Sequence, residues 1–148
     1  MPTFSSDPRL AAVVLAYEAL RAETVPALLG LYSPLARFKD PFNEVQGRAA
    51  IGCVFDHMFA TVKAPRFIVG QAVSDGDQAF LTWEFLFERA GGAQMCIRGA
   101  THLHFAADGS VDLHRDYWDA AEELYSKLPV LGVLMRWLQR RLAALPAR

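Results

Sequence analysis

Near the end of the sequence, His114 and Asp116 stand two apart in a segment that alternates like a strand, so both project from one face, with Trp118 next in line. An imidazole titrates near neutrality, and a carboxylate either orients it or takes a proton itself. The pair therefore suits acid/base chemistry against an aromatic wall. The opposite facing competes: with Val111, Leu113 and Tyr117 turned inward, the polar pair is solvated. If the polar pair faces inward, Val111 and Leu113 need cover from a partner subunit or from the helical tail. Asp40, between Lys39 and Pro41, is the second carboxylate of interest. As a base it must stand at a cavity mouth; the plain alternative is a solvated turn aspartate before proline. Tyr17 lies on the apolar stripe of the first helix, where a phenol is either an oxyanion donor or a core residue with its hydroxyl satisfied. His102 and His104 share a strand face opposite to the apolar one, and no cysteine or carboxylate completes a metal-ligand spacing around them. Cys53 and Cys96 lack a nucleophile motif and read as small buried apolar residues.

The elements that must position these groups are legible in the hydropathy pattern. Ser6-Asp7-Pro8 is a helix start, with a capping side chain and proline at the first helical position. Leu10, Val13, Val14, Tyr17 and Leu20 then recur at helical spacing. A short second helix runs from Thr24 to about Leu31, and Ser33-Pro34 ends it. Residues 36–40 read as a short strand closed by Pro41. Gly47-Arg48 opens a third helix carrying Ile51, Val54, Phe55, Met58 and Phe59, with Pro65 at its end. Beyond it the period switches toward two. Strands are predicted over 66–74, 79–89, the run through Ile97 to Phe105, and 111–118, joined by the turns Asp75-Gly76-Asp77, Gly91-Gly92 and Asp108-Gly109. Tight turns make neighbouring strands antiparallel, and helices grouped before such a sheet indicate an α+β class. Residues 119–128 and 130–145 read as helical.

Composition narrows the function classes. The chain has 148 residues, 53% of them hydrophobic and only 21% charged, enough to bury one sizeable core. Lys+Arg number 15 against Asp+Glu 16, so no overall basic charge marks a nucleic-acid binder. Two cysteines exclude a disulfide framework and a four-thiolate zinc site. The longest apolar runs are too short to span a bilayer, and the first residues lack the pattern of a signal peptide, so a cytoplasmic location is expected. The near-neutral total hides an asymmetry. Arg136, Arg140, Arg141 and Arg148 follow Pro129 with no acid among them, which leaves 11 basic and 16 acidic groups elsewhere, a net −5.

Three motifs, in this order and spacing, resemble the nuclear transport factor 2-like superfamily, which includes ketosteroid isomerases, SnoaL-like polyketide cyclases and limonene-epoxide hydrolases. They are Phe38-Lys39-Asp40-Pro41-Phe42 followed by Gly47-Arg48-Ala49-Ala50-Ile51, the hairpin from Leu103 through Asp108-Gly109 to Val111, and His114-Arg115-Asp116-Tyr117-Trp118-Asp119. The resemblance covers about residues 8–120. It implies a cone-shaped fold in which a curved antiparallel sheet wraps the N-terminal helices, with residues 121–145 as an added amphipathic extension to a single domain spanning 1–148.

In ketosteroid isomerases the Asp before Pro at the end of the first strand is the general base, and Asp40 stands at that position. Their oxyanion hole pairs a first-helix tyrosine with a protonated aspartic acid. Tyr17 lies near the first of these positions and Thr101 occupies the second. In limonene-epoxide hydrolases the Asp of Arg-Asp-Tyr works with an Arg-x-Asp; Asp116 matches the former, whereas Thr82-Trp83-Glu84-Phe85 carries no arginine. The broad SnoaL-like group is therefore the nearest resemblance.

It implies an apolar pocket for a hydrophobic small molecule, formed by Trp118, Thr101, Trp83, Phe55, Phe59 and Leu103. The implied chemistry is proton transfer beside a carbonyl, as in isomerisation or cyclisation, without cofactor or metal. Asp40 is then the base, His114 and Asp116 supply the second acid/base function, and Tyr17 or Thr101 bonds the oxyanion. The alternatives are a non-catalytic module for a lipid-like or polyketide-like ligand, and a structural dimer with a vestigial pocket. A homodimer is expected, and no nucleic-acid partner.

The tail places Leu131, Leu134, Met135, Leu138, Leu142 and Leu145 on one stripe, Arg136 and Arg140 opposite, and Trp137 and Arg141 at its flanks. It packs over the sheet or cavity, pairs subunits, or lies on an anionic membrane surface.

Overall fold

A computed structural model describes residues 6–143; Leu145 and Arg148 of the tail lie outside this range. The described residues fall into two compact units, one ending at Tyr117 and the other beginning at Trp118.

The first unit opens with α1 (Pro8–Glu18), a single 3₁₀ turn (Ala22–Thr24) and α2 (Val25–Leu29). Asp7 caps α1 as its sequence predicts, accepting the Arg9 backbone N–H at 2.9 Å. It also holds the Arg9 guanidinium at 2.7 Å, which keeps the Asp7 carboxyl below its usual range. A carboxyl depressed by folding contributes stability above the unfolded value near ~4 and loses it as the pH falls. Asp7→Ala is expected to cost about 1 kcal/mol in urea unfolding at neutral pH, with the difference from the parent shrinking in acid.

The strands follow: β1 (Tyr32–Lys39), β2 (Glu44–Gln46), then α3 (Arg48–Thr61), and β3 (Lys63–Asp75), β4 (Gln78–Glu88), β5 (Gln94–Phe105) and β6 (Val111–Tyr117). They form one curved, open six-stranded sheet in the order β2-β1-β6-β5-β4-β3. The predicted meander is present from β3 to β6, and α1 packs against β3 while α3 packs against β1. One pairing departs from the antiparallel expectation: β1 runs parallel to β6, matching Phe38 with His114 and Lys39 with Arg115. The long connection between them, through β2, α3 and the strands β3 to β5, supplies the crossover that a parallel pair requires.

The two prolines read as helix stops, Pro34 and Pro65, lie inside strands. β1 starts at Tyr32, ahead of Pro34, because its register on β6 shifts between Tyr32 and Arg37 and the residue without an N–H falls in that irregular stretch. Pro65 lies in β3, an edge strand whose register on β4 shifts between Lys63 and Arg66; α3 has already ended at Thr61. β2 is too short to carry a period. Cys53 is exposed, on the outward side of α3, rather than buried.

A bulge resolves the competing facings of the last strand. The pairing of β5 with β6 shifts between His104 and Phe105, so Val111 points inward with His114 and Asp116, whereas Leu113 points out with Arg115 and Tyr117. Val111 thus needs no outside cover. On the outer face, Arg37, Lys39, Leu113, Arg115, Tyr117 and His102 line a groove of about 600 Å³.

The second unit consists of α4 (Ala120–Glu123), capped by Asp119, a 3₁₀ turn (Tyr125–Lys127), and α5 (Pro129–Leu142), which packs on that turn. The helix expected over 119–128 is thus only one turn of α-helix followed by one of 3₁₀. No helix among the described residues is long and apolar enough to cross a membrane.

Candidate active site

His114 is the centre of the inner face and is completely buried. Its position follows from β6 running down the middle of the sheet, between β1 and β5. Phe38, its partner on β1, stacks on the imidazole with ring centroids 4.7 Å apart. Leu103, its partner on β5, is likewise fully buried. A buried imidazole must satisfy both nitrogens, and here each has a partner. Nε2 lies 2.7 Å from Asp116 Oδ1. Nδ1 lies 2.8 Å from the Tyr32 hydroxyl and 3.2 Å from the Tyr17 hydroxyl, and the two hydroxyls are 3.1 Å apart.

Elementary donor accounting fixes the direction of this chain. A carboxylate only accepts, so Nε2 donates to Asp116. In the neutral ring Nδ1 then accepts through its one lone pair from the nearer Tyr32 hydroxyl, and the Tyr17 hydroxyl donates to the Tyr32 oxygen. Burial pushes the Tyr17 and Tyr32 hydroxyls well above the ordinary tyrosine value, so both keep their protons.

On the other side, Thr101 pairs with Asp116 across β5 and β6 and donates to the same Oδ1 at 2.5 Å. The Trp83 indole N–H donates to Thr101 Oγ1 at 2.8 Å. The hydroxyl of Thr101 thereby accepts once and donates once. Asp116 Oδ1 is held by two donors, while Oδ2 has no hydrogen bond among the described residues and the side chain stays 17% exposed. One carboxylate oxygen is anchored and the other is open. A carboxylate held this way has oriented lone pairs on the open oxygen, able to accept a proton or a hydrogen bond.

Aromatic rings enclose the network. Phe55 meets Phe38 and Tyr17 edge-on at 6.0 and 6.2 Å, and Phe67 meets Tyr17 and Trp83 edge-on at 5.4 and 5.6 Å. A low-dielectric surround strengthens every polar contact inside it. Tyr32→Phe, which removes the donor to Nδ1 and leaves Tyr17 in place, is expected to cost about 1 kcal/mol in urea unfolding.

Of the residues read from sequence, Tyr17, His114, Asp116, Thr101 and Trp83 are brought into one hydrogen-bonded network, with Phe55 and Leu103 packed around it. Phe59, one turn beyond Phe55, is half-buried. Trp118 is half-buried and belongs to the second unit. Asp40 lies just past the end of β1, beyond the Lys39–Arg115 pair and so toward the Asp116 end of β6. Its Oδ1 accepts the backbone N–H groups of Phe42 and Asn43 at 2.7 and 2.6 Å, and the Asn43 amide reaches both carboxylate oxygens at 3.1 Å. This carboxylate is committed to its own turn.

Sequence reasoning missed Tyr32, Phe38 and Phe67 as site residues. The signal for Tyr32 was its even spacing from Ala36 and Phe38, masked by the intervening proline.

His102 and His104 turn to the outer face as expected; His104 Nδ1 meets Asp112 at 2.6 Å, and His102 bonds Gln78. Among the described residues, no group of three His, Cys, Asp or Glu side chains could hold a metal ion.

Comparison with known proteins agrees with this architecture. No curated protein matches the sequence. Among solved structures, a Burkholderia pseudomallei NTF2-like protein of unknown function superposes with a TM-score of 0.70 at 16% identity, covering 78% of this chain and 94% of its own. TerC co-crystallised with polyporic acid gives 0.70 at 15% identity, covering 78% and 95%. A Mycobacterium tuberculosis protein in complex with estradiol-17beta-hemisuccinate gives 0.65 at 20% identity, covering 77% and 95%. These likenesses establish the NTF2-like fold. The model of the SnoaL-like domain matches residues 13–114, more than half of the chain, and the protein belongs to the SnoaL-like domain family.

Proposed function

We propose that the protein binds a hydrophobic small molecule against the aromatic rim of the His114–Asp116 pair and transfers a proton beside a carbonyl group. The observation that carries this reading is the asymmetric Asp116 carboxylate, with Oδ1 held by Thr101 and His114 and Oδ2 open. Asp116 Oδ2 takes the proton from the carbon next to the carbonyl. His114 Nε2–H and the Thr101 hydroxyl hold the carboxylate in place and offset its charge while it is ionised. Returning the proton to a different carbon completes an isomerisation; attack of the enolate carbon on a second carbonyl, whose π bond opens to an alkoxide that takes the proton back from Asp116, completes a cyclisation. Neither needs a cofactor. Asp40 fixes the turn that follows β1. Two relatives of the same fold are recorded with small organic molecules, which supports the ligand class.

A non-catalytic binding module is the second reading. It is favoured by the self-sufficiency of the network: among the described residues, every buried side-chain polar atom has a partner without any ligand.

The test is nuclear magnetic resonance titration of the protein with a panel of hydrophobic cyclic ketones. Binding at this site moves the His114 ring and Trp83 indole signals together. Shifts confined to the outer groove, at His102, would place the ligand elsewhere and reject the site.

A further inference from the structure

We infer that α5 is a docking element for an anionic lipid surface, a role beyond the reaction proposed above and independent of it. The helix has one half-buried side, formed by Leu131 and Met135 beside the buried Gly132. It carries a second apolar stripe that this packing does not use. Val130, Val133, Leu134, Trp137 and Leu138 recur at i, i+3, i+4, i+7 and i+8 and are all exposed, Val130 by 86% and Trp137 by 51%. The stripe expected from sequence is therefore split: its Leu131 and Met135 are half-buried, whereas Leu134, Leu138 and Leu142 are in water. An apolar stripe of this size left in water marks an interaction surface.

Charge selects the occupant. Between Pro129 and Leu142 there are three arginines, Arg136, Arg140 and Arg141, and no acid. Arg141 continues the exposed stripe and lies over the Trp137 ring, 5.4 Å from its centroid. Pairing this stripe with its copy would bring Arg140 and Arg141 of both helices to one interface, where neither helix carries an acid, and like charges brought together oppose association. Anionic headgroups pair with Arg140 and Arg141 at the edge of the stripe, and Trp137 suits the boundary between headgroup and acyl chain. A helix of 14 residues is about 21 Å long, too short to span a bilayer and sufficient to lie in its surface.

The experiment is vesicle flotation of the full chain, with vesicles of phosphatidylcholine alone and of phosphatidylcholine mixed with phosphatidylglycerol. The protein is expected to float only with the mixed vesicles and to be released by salt. Replacing Arg140 and Arg141 together by Gln lowers the partition coefficient roughly 30-fold. Val133→Ser combined with Trp137→Ser abolishes flotation while circular dichroism and the melting temperature stay at parental values, because both side chains are exposed. Failure of the parent protein to float with anionic vesicles overturns the inference. So does equal flotation of the arginine variant. A dimer seen by light scattering and lost in the Val133/Trp137 variant, with no vesicle binding by the parent, assigns the stripe to self-association instead.

Discussion

Asp116→Asn is expected to lower proton exchange next to the carbonyl of a bound ketone about 10³-fold, the range that a positioned general base supplies. The amide keeps the shape of the side chain, and its oxygen still accepts from His114 Nε2 and Thr101 Oγ1, so the fold is retained. What disappears is the basic lone pair at the open position. Deuterium incorporation from heavy water, followed by proton resonance, measures the loss without knowledge of the natural substrate. Asp40→Asn, assayed alongside, is expected to retain most of the exchange, because its carboxylate serves Phe42 and Asn43. The reverse ranking, with exchange lost in Asp40→Asn and kept in Asp116→Asn, would transfer the role of base to Asp40.

Gly99→Ala is expected to be the most damaging single methyl group in the sheet. Gly99 pairs with Trp83 across β4 and β5, and a Cβ at Gly99 would enter the space of the indole six-membered ring. The atoms it meets belong to a rigid ring whose N–H is engaged with Thr101, so the indole cannot move aside without breaking that bond. Overpacking of this kind costs about 1–3 kcal/mol, which for a chain of this length lowers the melting temperature by roughly 2–4 °C per kcal/mol. The consequence reaches the site: displacing Trp83 frees Thr101 Oγ1, and the Asp116 oxygen loses the geometry set by its second donor. Calorimetry checks the stability, and the exchange assay checks the coupling. A variant with parental melting temperature would show that the indole has room that the structure does not give it.

Much of this arrangement was legible in the sequence because period and parity are local properties. Alternation along β4 and β5 placed Trp83, Thr101 and Leu103 on one face, and the helical spacing of Leu10, Val13, Val14 and Tyr17 pointed Tyr17 inward. What could not be read was set by contacts distant in sequence. The bulge between β5 and β6 decides that Val111 and His114 share a face although they are an odd number of residues apart. Strict alternation cannot express that, and it left two facings open. The role of Tyr32 depends on β1 lying parallel to β6, a pairing across about eighty residues. Pro34 then looked like a stop because its tolerance depends on the register shift at that place. Asp40 illustrates the converse. Its position before a proline suggested a base and a turn residue equally, and only the neighbouring Asn43 and Phe42 amides show how the carboxylate is employed.

The fold alone cannot assign a reaction, since sites rather than folds carry chemistry. The central claim is that the open oxygen of Asp116 moves a proton on a bound carbonyl compound. The most direct measurement is the rate of deuterium incorporation into a hydrophobic cyclic ketone that shifts the His114 signals of the unaltered protein. A rate about 10²-fold or more above buffer is the predicted result. A ketone that occupies the site, as the His114 and Trp83 signals report, yet exchanges no faster than in buffer would contradict the account and leave the protein a binder.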